Sequence, residues 1–522
     1  MFTTTDPANG ASPAEGSVST VDSATATDSD VRRTSPLPVR TIALGTIGSL
    51  LILVSALGAG AILAQDPLIG RGPLSWVRYG HGRMLATFVL YAGFGLVVWA
   101  WVRLGRHVLA GRVGTKPVLL ASACWILPMI FTPPVFSRDA YLYIAYGTLP
   151  LHGYDPYTTG PGILEVDQVV DNVDSFWQAT PAPYGPLFIL LAKGVIAITG
   201  TNMITGVILM RVGLLIGLGL LIWALPGLVR HLGGKLPVAM WLAVAGPMTV
   251  VHLIGGPHND LLMVGFLAIG TVFVLDRKHV LGIVLVTMAV AVKATAVIAL
   301  PFLVWVWANH LESTRWKNFT RAVLCGFGVF VVTFAAATLV SGVNLGWIMA
   351  LDAPTAIVNW LSVPTGVGEI IHSLVSIFVD TPKVIFVTVL RVLGGLLLVW
   401  LLVKQWWRAK DGGPDAVRRA AFALFLVAIL SPATLPWYLV WGFVLAAGMR
   451  WERRNLAVLV TFASFLVLTY SPAGDDLLYD WLFMAAAAGL SVLAGVSLLR
   501  PDPLNLFLSR EPVPAGGTSG AN

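Results

Sequence analysis

The chain has 522 residues, of which 57% are hydrophobic and only 11% charged; soluble domains carry about 25% charged residues, so a soluble globular protein is excluded. The formal net charge is +7, and in so apolar a chain a basic surplus marks the cytoplasmic side of a membrane rather than a nucleic-acid partner. Two cysteines, Cys124 and Cys325, sit inside apolar segments at a spacing that suits neither a metal site nor a redox pair.

Residues 1–40 are rich in Ser, Thr, Ala and Asp and read as a disordered cytoplasmic tail rather than a signal peptide. Arg32, Arg33 and Arg40 precede the first apolar run, 42–64, which anchors this end inside. Runs at 84–102 and 117–131 follow, separated by Arg103, Arg106, Arg112 and Lys116, and then a long polar stretch, 132–186, lies outside. The segment 187–199 is too short for an easy crossing and is read as re-entrant or interfacial. If it crossed, Arg230, His231 and Lys235 at the end of the run 203–228 would lie outside.

Two apolar runs, 236–253 and 261–275, bracket an outer turn, and the short pair 281–292 and 294–308 leads to an inner segment, 309–321. A second long outer loop covers 341–382, the basic loop 404–419 is inside, and a last helix pair brackets the acidic loop near 471–480. Placed this way, roughly three-quarters of the Lys and Arg residues are cytoplasmic. The expectation is an all-α polytopic membrane protein of about 14 crossings (12–14), a single transmembrane domain over 41–500 with outer loops near 132–186, 252–260, 341–382 and 471–480, and a cytoplasmic tail at 501–522. The acidic residues fall mainly on the outer side, so the active surface is expected there.

The stretch FSRDAYLYIAYG, 136–147, follows the third helix. On a helix, Asp139, Tyr143 and Tyr146 share one face at i, i+4 and i+7. A carboxylate among tyrosines suits a general base, with rings that stack on a sugar; the plainer alternative is an interfacial aromatic belt with an Arg138–Asp139 ion pair. The stretch APYGP, 182–186, turns the chain back into the bilayer and carries Tyr184; a Pro-rich helix start would look the same. In GGPHNDLLM, 255–263, three hydrogen-bonding side chains, His258, Asn259 and Asp260, stand at the head of a helix, more than a plain turn needs.

The intramembrane cations Lys193, Arg211, Lys293 and Arg391 each cost at least ~2.5 kcal/mol at the bilayer centre. Buried pairing or snorkelling would account for Lys193 and Arg391; Lys293, between two short helices near the outer face, suits an amine that holds a phosphate. VPTGVGEIIH, 363–372, and LPWYLVWG, 435–442, add outer loops, the second with Trp437, Tyr438 and Trp441 as anchors or sugar platforms. Phosphate-binding glycine loops, HExxH and EF-hand patterns are missing from the sequence, and no acidic pair surrounds Asp139, so neither a cofactor nor a metal is expected.

Taken together, FSRDAY, APYGP, HLIGGPHND, AVKATAVIALPFLVWVW, NWLSVPTG and LPWY resemble the actinobacterial polyprenol-phosphomannose-dependent α(1→6)-mannosyltransferases of the glycosyltransferase C (GT-C) superfamily, over about residues 66–480. That resemblance implies an inverting transfer of mannose from a polyprenyl-phosphate-mannose donor to the 6-hydroxyl of a lipid-anchored mannan acceptor, elongating the backbone of lipomannan and lipoarabinomannan on the outer face of the plasma membrane. It makes Asp139 the base. The chemistry then assigns Arg138 and Lys293 to the donor phosphate and Tyr143, Tyr184, His258, Asn259, Asp260, Trp437 and Tyr438 to the sugars. Two departures stand out: the loop aspartate follows the third helix rather than the first, and it is single. Rival readings are a proximal α(1→6) or α(1→2) mannosyltransferase, a pentofuranosyl transferase, a lipid-linked sugar flippase or transporter, and a membrane scaffold.

Overall fold

The structure is a computed structural model and describes residues 37–500 and 503–504. The tails expected at 1–40 and 501–522 lie almost wholly outside the described residues. The rest is helical: among the described residues no strand forms, and two isolated bridges pair Gly233 with Met449 and Tyr470 with Asp476.

The helices are α1 (Val39–Ala59), α2 (Gly80–Leu109), α3 (Thr115–Phe131), α4 (Asp139–Leu151), α5 (Pro186–Thr199), α6 (Met203–Leu232), α7 (Leu236–Ala243), α8 (Asp260–Leu275) and α9 (His279–Val292). They continue with α10 (Leu300–Ala308), α11 (Arg315–Ser341), α12 (Val363–Val375), α13 (Lys383–Arg408), α14 (Gly413–Leu430), α15 (Val440–Ala446), α16 (Arg453–Val467) and α17 (Trp481–Leu499). By length and composition six of these can cross a membrane, or seven if the bent pair of α7 and the π-helical Met248–Gly255 is one span. The chain is a multi-pass membrane protein. The larger number expected from hydropathy includes apolar helices of 10–17 residues, which at 1.5 Å per residue reach about 15–25 Å and fall short of a ~30 Å core by themselves.

Local chemistry explains the boundaries. Pro186 opens α5 where its missing N–H costs nothing, and Asn202 caps α6 by accepting from the Thr205 amide at 3.1 Å. Gly233, at φ 82°, ends α6 in the left-handed turn that glycine adopts most readily. α6 and α8 approach so closely that a Cβ on Gly217 or Gly265 would collide with the other helix's backbone, the small-residue packing of membrane helices.

Hydrogen bonds sort the connections into two clusters. At one end the segments expected outside hold one another: Ala64 N–H donates to Asn172 Oδ1, Phe136 N–H to the Pro472 carbonyl, Asn344 Nδ2 to Asp155, and Trp360 Nε1 to the Leu478 carbonyl. At the other end the segments expected inside do the same: Arg230 and His231 pair with Asp276, Asn309 Nδ2 donates to the Lys410 carbonyl, and Arg418 Nη2 to the Leu232 carbonyl. Each cluster thus draws these bonds from segments of one charge character. Two expected oddities also take shape. The segment 187–199 becomes α5, a 14-residue helix packed on α4, and Arg391 donates to Thr365 Oγ1 and the Thr355 and Ile357 carbonyls, which ties the second long loop to α13.

Candidate active site

The site forms where four chain segments end together. The break between α7 and the π-helical turn, at Gly246–Pro247, bends that path by 42°, and Arg211 of α6 holds the turn's far end. Its guanidinium, 1% exposed, donates to the carbonyls of Ile254, Gly255 and Ile130 at 2.8, 2.7 and 2.9 Å. Carbonyls freed where a helix stops inside apolar surroundings need such donors. This intramembrane cation is thus structural, and it fixes the backbone three residues before His258.

Asp139 is the first residue of α4, and its side chain is 23% exposed. Tyr143 Oη, one turn on, donates to Asp139 Oδ2 at 3.2 Å, and His258 Nδ1 meets the same oxygen at 3.2 Å. Among the described residues Oδ1 takes no hydrogen bond, so one carboxylate oxygen is anchored and the other is available. Burial alone would raise the Asp139 carboxyl, but the hydrogen bond and charge of His258, with Lys293 and Tyr143, outweigh it and hold the carboxyl below its ordinary value. It is an ionised, oriented carboxylate.

Phe136, just upstream, has φ 58°, a left-handed conformation that costs a non-glycine residue about 1–3 kcal/mol. The ring is buried against Tyr91, Phe94 and His252, which holds the backbone there.

His258 is fully buried and stacks on Trp437 with centroids 3.8 Å apart. Its Nε2 has no hydrogen-bond partner, nor does either end of the Asn259 amide, although both side chains are buried. Leaving such groups unpaired costs about 1–3 kcal/mol each, and functional sites are where such costs are retained. The Asn259 N–H donates to Tyr143 Oη at 3.4 Å, tying the head of α8 to α4.

Asp260 faces elsewhere. Both of its oxygens bind Lys293 Nζ at 2.9 Å, and Oδ1 also accepts from Trp441 Nε1. Lys293 occupies an extended residue between α9 and the 3-10 turn Ala294–Ala299. Its ammonium lies 4.7 Å from the Tyr438 ring centroid and 5.4 Å from that of Trp441, and these two rings stack at 4.3 Å. An ammonium has three donors and two are given to Asp260, which leaves one.

Tyr184 packs edge-on against Tyr143 at 5.4 Å and Tyr146 at 6.0 Å, and burial raises its hydroxyl well above the usual value. The next residue must be glycine: a Cβ on Gly185 would collide with the Ala291 carbonyl, and the Gly185 N–H donates to the Val292 carbonyl. Arg138 is committed to the other side of α4's first residue, with Nη2 3.4 Å from the Asn172 carbonyl and the guanidinium 5.8 Å from the Tyr141 ring.

All ten residues singled out in the sequence thus lie at one end of the bundle, and Asp139, Tyr143, Tyr184, His258, Asn259, Asp260, Lys293, Trp437 and Tyr438 form one connected cluster. Trp441 and His252 belong to it as well. Trp441 stood in a quoted motif, but only its fold shows that it completes the Asp260–Lys293 pair; a buried indole N–H needs an acceptor, and that was the available signal. Among the described residues no three His, Cys, Asp or Glu side chains gather as metal ligands.

An anchored carboxylate beside a partly satisfied ammonium, in a polytopic helical bundle, is what a membrane-embedded glycosyltransferase requires, and comparison with known proteins makes the class definite. Residues 42–309 match the family described as alpha-(1->6)-mannopyranosyltransferase, N-terminal domain, and residues 364–500 match the MptB C-terminal domain. The chain is 39% identical to alpha-(1->6)-mannopyranosyltransferase A of Mycobacterium tuberculosis, over 92% of this chain and 96% of the relative. It is 29% identical to the protein of the same name from Corynebacterium glutamicum over 89% and 99%, and 28% identical to that organism's alpha-(1->6)-mannopyranosyltransferase B over 91% and 85%. The chain belongs to the α-(1→6)-mannopyranosyltransferase family, and it is a mannosyltransferase that joins a sugar donor to a glycan acceptor.

Proposed function

We propose that the chain elongates the α(1→6)-mannan backbone of lipomannan and lipoarabinomannan, using polyprenyl-phosphate-mannose as donor, at the extracytoplasmic face of the plasma membrane and on a GT-C fold of about 14 crossings. The observation that carries this reading is the Asp139 carboxylate, oriented through Oδ2 by His258 and Tyr143 with Oδ1 left available. The acceptor 6-oxygen attacks C1 of the β-linked mannosyl phosphate as its proton passes to Asp139. The C1–O bond breaks, its electron pair leaves with the polyprenyl phosphate, and the product is α-linked.

Lys293 meets the phosphate with its remaining donor, and Arg138 would serve as the second cation by leaving its contacts with the Asn172 carbonyl and the Tyr141 ring. Asp260 sets the Lys293 ammonium in place. Asn259 and His258 offer unpaired polar atoms to the sugars, and Tyr184, Trp437 and Tyr438 shape the walls. An apolar groove of about 670 Å³ starts four residues past Lys293, at Val297 and Ile298, and continues along Phe302, Phe327 and Phe330; it suits a prenyl chain. This reaction needs no cofactor or metal.

Asp139→Asn, in membranes given labelled polyprenyl phosphomannose and a short mannan acceptor, should lower transfer about 10²–10⁴-fold, the usual worth of a general base. Transfer at the wild-type rate would remove Asp139 from that role.

A further inference from the structure

A second cavity, of about 740 Å³, opens at the same end of the bundle, between the α1–α2 connection, residues 168–172 and the start of α6. Its chemistry is polar: Asp66 and Asp171 offer acceptors, while Arg71, Arg78, Gln168 and Asn172 offer donors. Arg78 is 7% exposed. Its Nη2 donates to the Leu63 carbonyl, yet its Nε, buried on the cavity wall, has no partner. A buried guanidinium N–H left unpaired is costly, and functional sites are where such costs are retained.

The cavity reaches the base through one residue. Asn172 Oδ1 accepts from the Ala64 amide at 2.8 Å, and the Asn172 carbonyl accepts from Arg138, next to Asp139. On the wall, Tyr79 is exposed, as aromatic residues are at a membrane–water boundary. The wall sets Asp66 and Asp171 against Arg71 and Arg78 among the apolar Leu63, Met203 and Ile204, so it carries no charge excess for an anion; a neutral polyol, with donors, acceptors and apolar C–H faces on every ring, matches each kind of lining.

We infer that this cavity binds the already polymerised mannose units of the acceptor, behind the unit whose 6-hydroxyl faces Asp139. The inference rests on the transfer reaction proposed above. The exposed wall residues allow a test without disturbing Arg78.

Full-length wild type and the Gln168→Ala/Asp171→Ala double variant would be assayed in membranes with labelled polyprenyl phosphomannose and neutral octyl α(1→6)-mannosides of increasing length. The ratio of kcat/KM for a tetramannoside to that for a monomannoside should fall about ten-fold in the variant, as a loss of about 1.4 kcal/mol of binding would produce. An unchanged ratio, or a fall only with phosphate-bearing acceptors, would overturn the assignment. Calorimetric binding of the neutral tetramannoside to the purified protein reads the cavity without any donor: weaker binding in the variant supports the assignment and equal binding overturns it. If wild type binds the tetramannoside yet uses no polyprenyl donor, the donor proposal fails and the cavity stands on the binding difference.

Discussion

At Asp139 the two oxygens of one carboxylate have separate duties. Oδ2 is held by His258 and Tyr143, the same neighbours that help depress the carboxyl, while Oδ1 is left for the proton of the proposed transfer. His258 also opposes the effect of burial on that carboxyl. A depressed carboxyl stays ionised until the pH falls through its lowered value, so with Asp139 as the proposed base the acid limb of kcat/KM should lie low in the wild type. His258→Phe keeps a ring against Trp437 but removes the hydrogen bond and the charge, leaving burial to raise the carboxyl. The acid limb of the kcat/KM profile should therefore move to higher pH; an unmoved limb would show that His258 does not act on Asp139.

Between elements, the decisive contact joins the head of α8 to the end of α9. Asp260 is fully buried and Lys293 is 12% exposed on its side chain, so neither charge tolerates loss of the other. Asp260→Leu alone should destabilise the protein by about 3–5 kcal/mol, because it strands a buried ammonium, whereas Asp260→Leu with Lys293→Met should recover most of that loss. Unfolding in detergent micelles measures both, and on the proposed mechanism the double variant folds yet transfers poorly.

This pairing also shows where sequence reading stops. Each residue was legible separately, Lys293 because an intramembrane cation is expensive and Asp260 because His-Asn-Asp is too polar for a plain turn. Their partnership was not legible, since 33 positions separate them and the contact depends on how α8 and α9 return to the same end. Asn259 and His258 each keep an unpartnered polar atom, whereas Asp260, grouped with them by adjacency, turns to Lys293, because successive residues at a helix head point in different directions. The Gly246–Pro247 pair carries the signal for the break before the π-helical turn, but hydropathy merges 236–253 into one run, and Arg211 as its anchor has no local signature.

Across the whole molecule, the loop end is a relay of contacts converging on Asp139. Trp360 Nε1 in the second long loop donates to the Leu478 carbonyl at 2.7 Å, the 470–480 loop accepts at Pro472 from Phe136 N–H, and Phe136 precedes Asp139 by three residues. Trp360→Phe keeps the ring and removes one bond of about 1 kcal/mol. If that order reaches the site, kcat should drop about five-fold with the melting temperature nearly unchanged; an unchanged kcat would confine Trp360 to loop packing. Charge sorting had placed these loops together, while the bonds between them depend on side-chain reach that no local pattern encodes.

The Asp260–Lys293 pair has a last consequence, for turnover. An ammonium already matched by a carboxylate attracts a phosphate less than a bare one would, and the leaving polyprenyl phosphate of the proposed reaction carries more negative charge than the donor diester. The buried carboxylate then acts as a built-in repellent. On the proposed mechanism, the pocket that steadies the departing group through the transition state also pushes it back toward the lipid afterwards, which would set the enzyme to release its spent carrier and accept the next one.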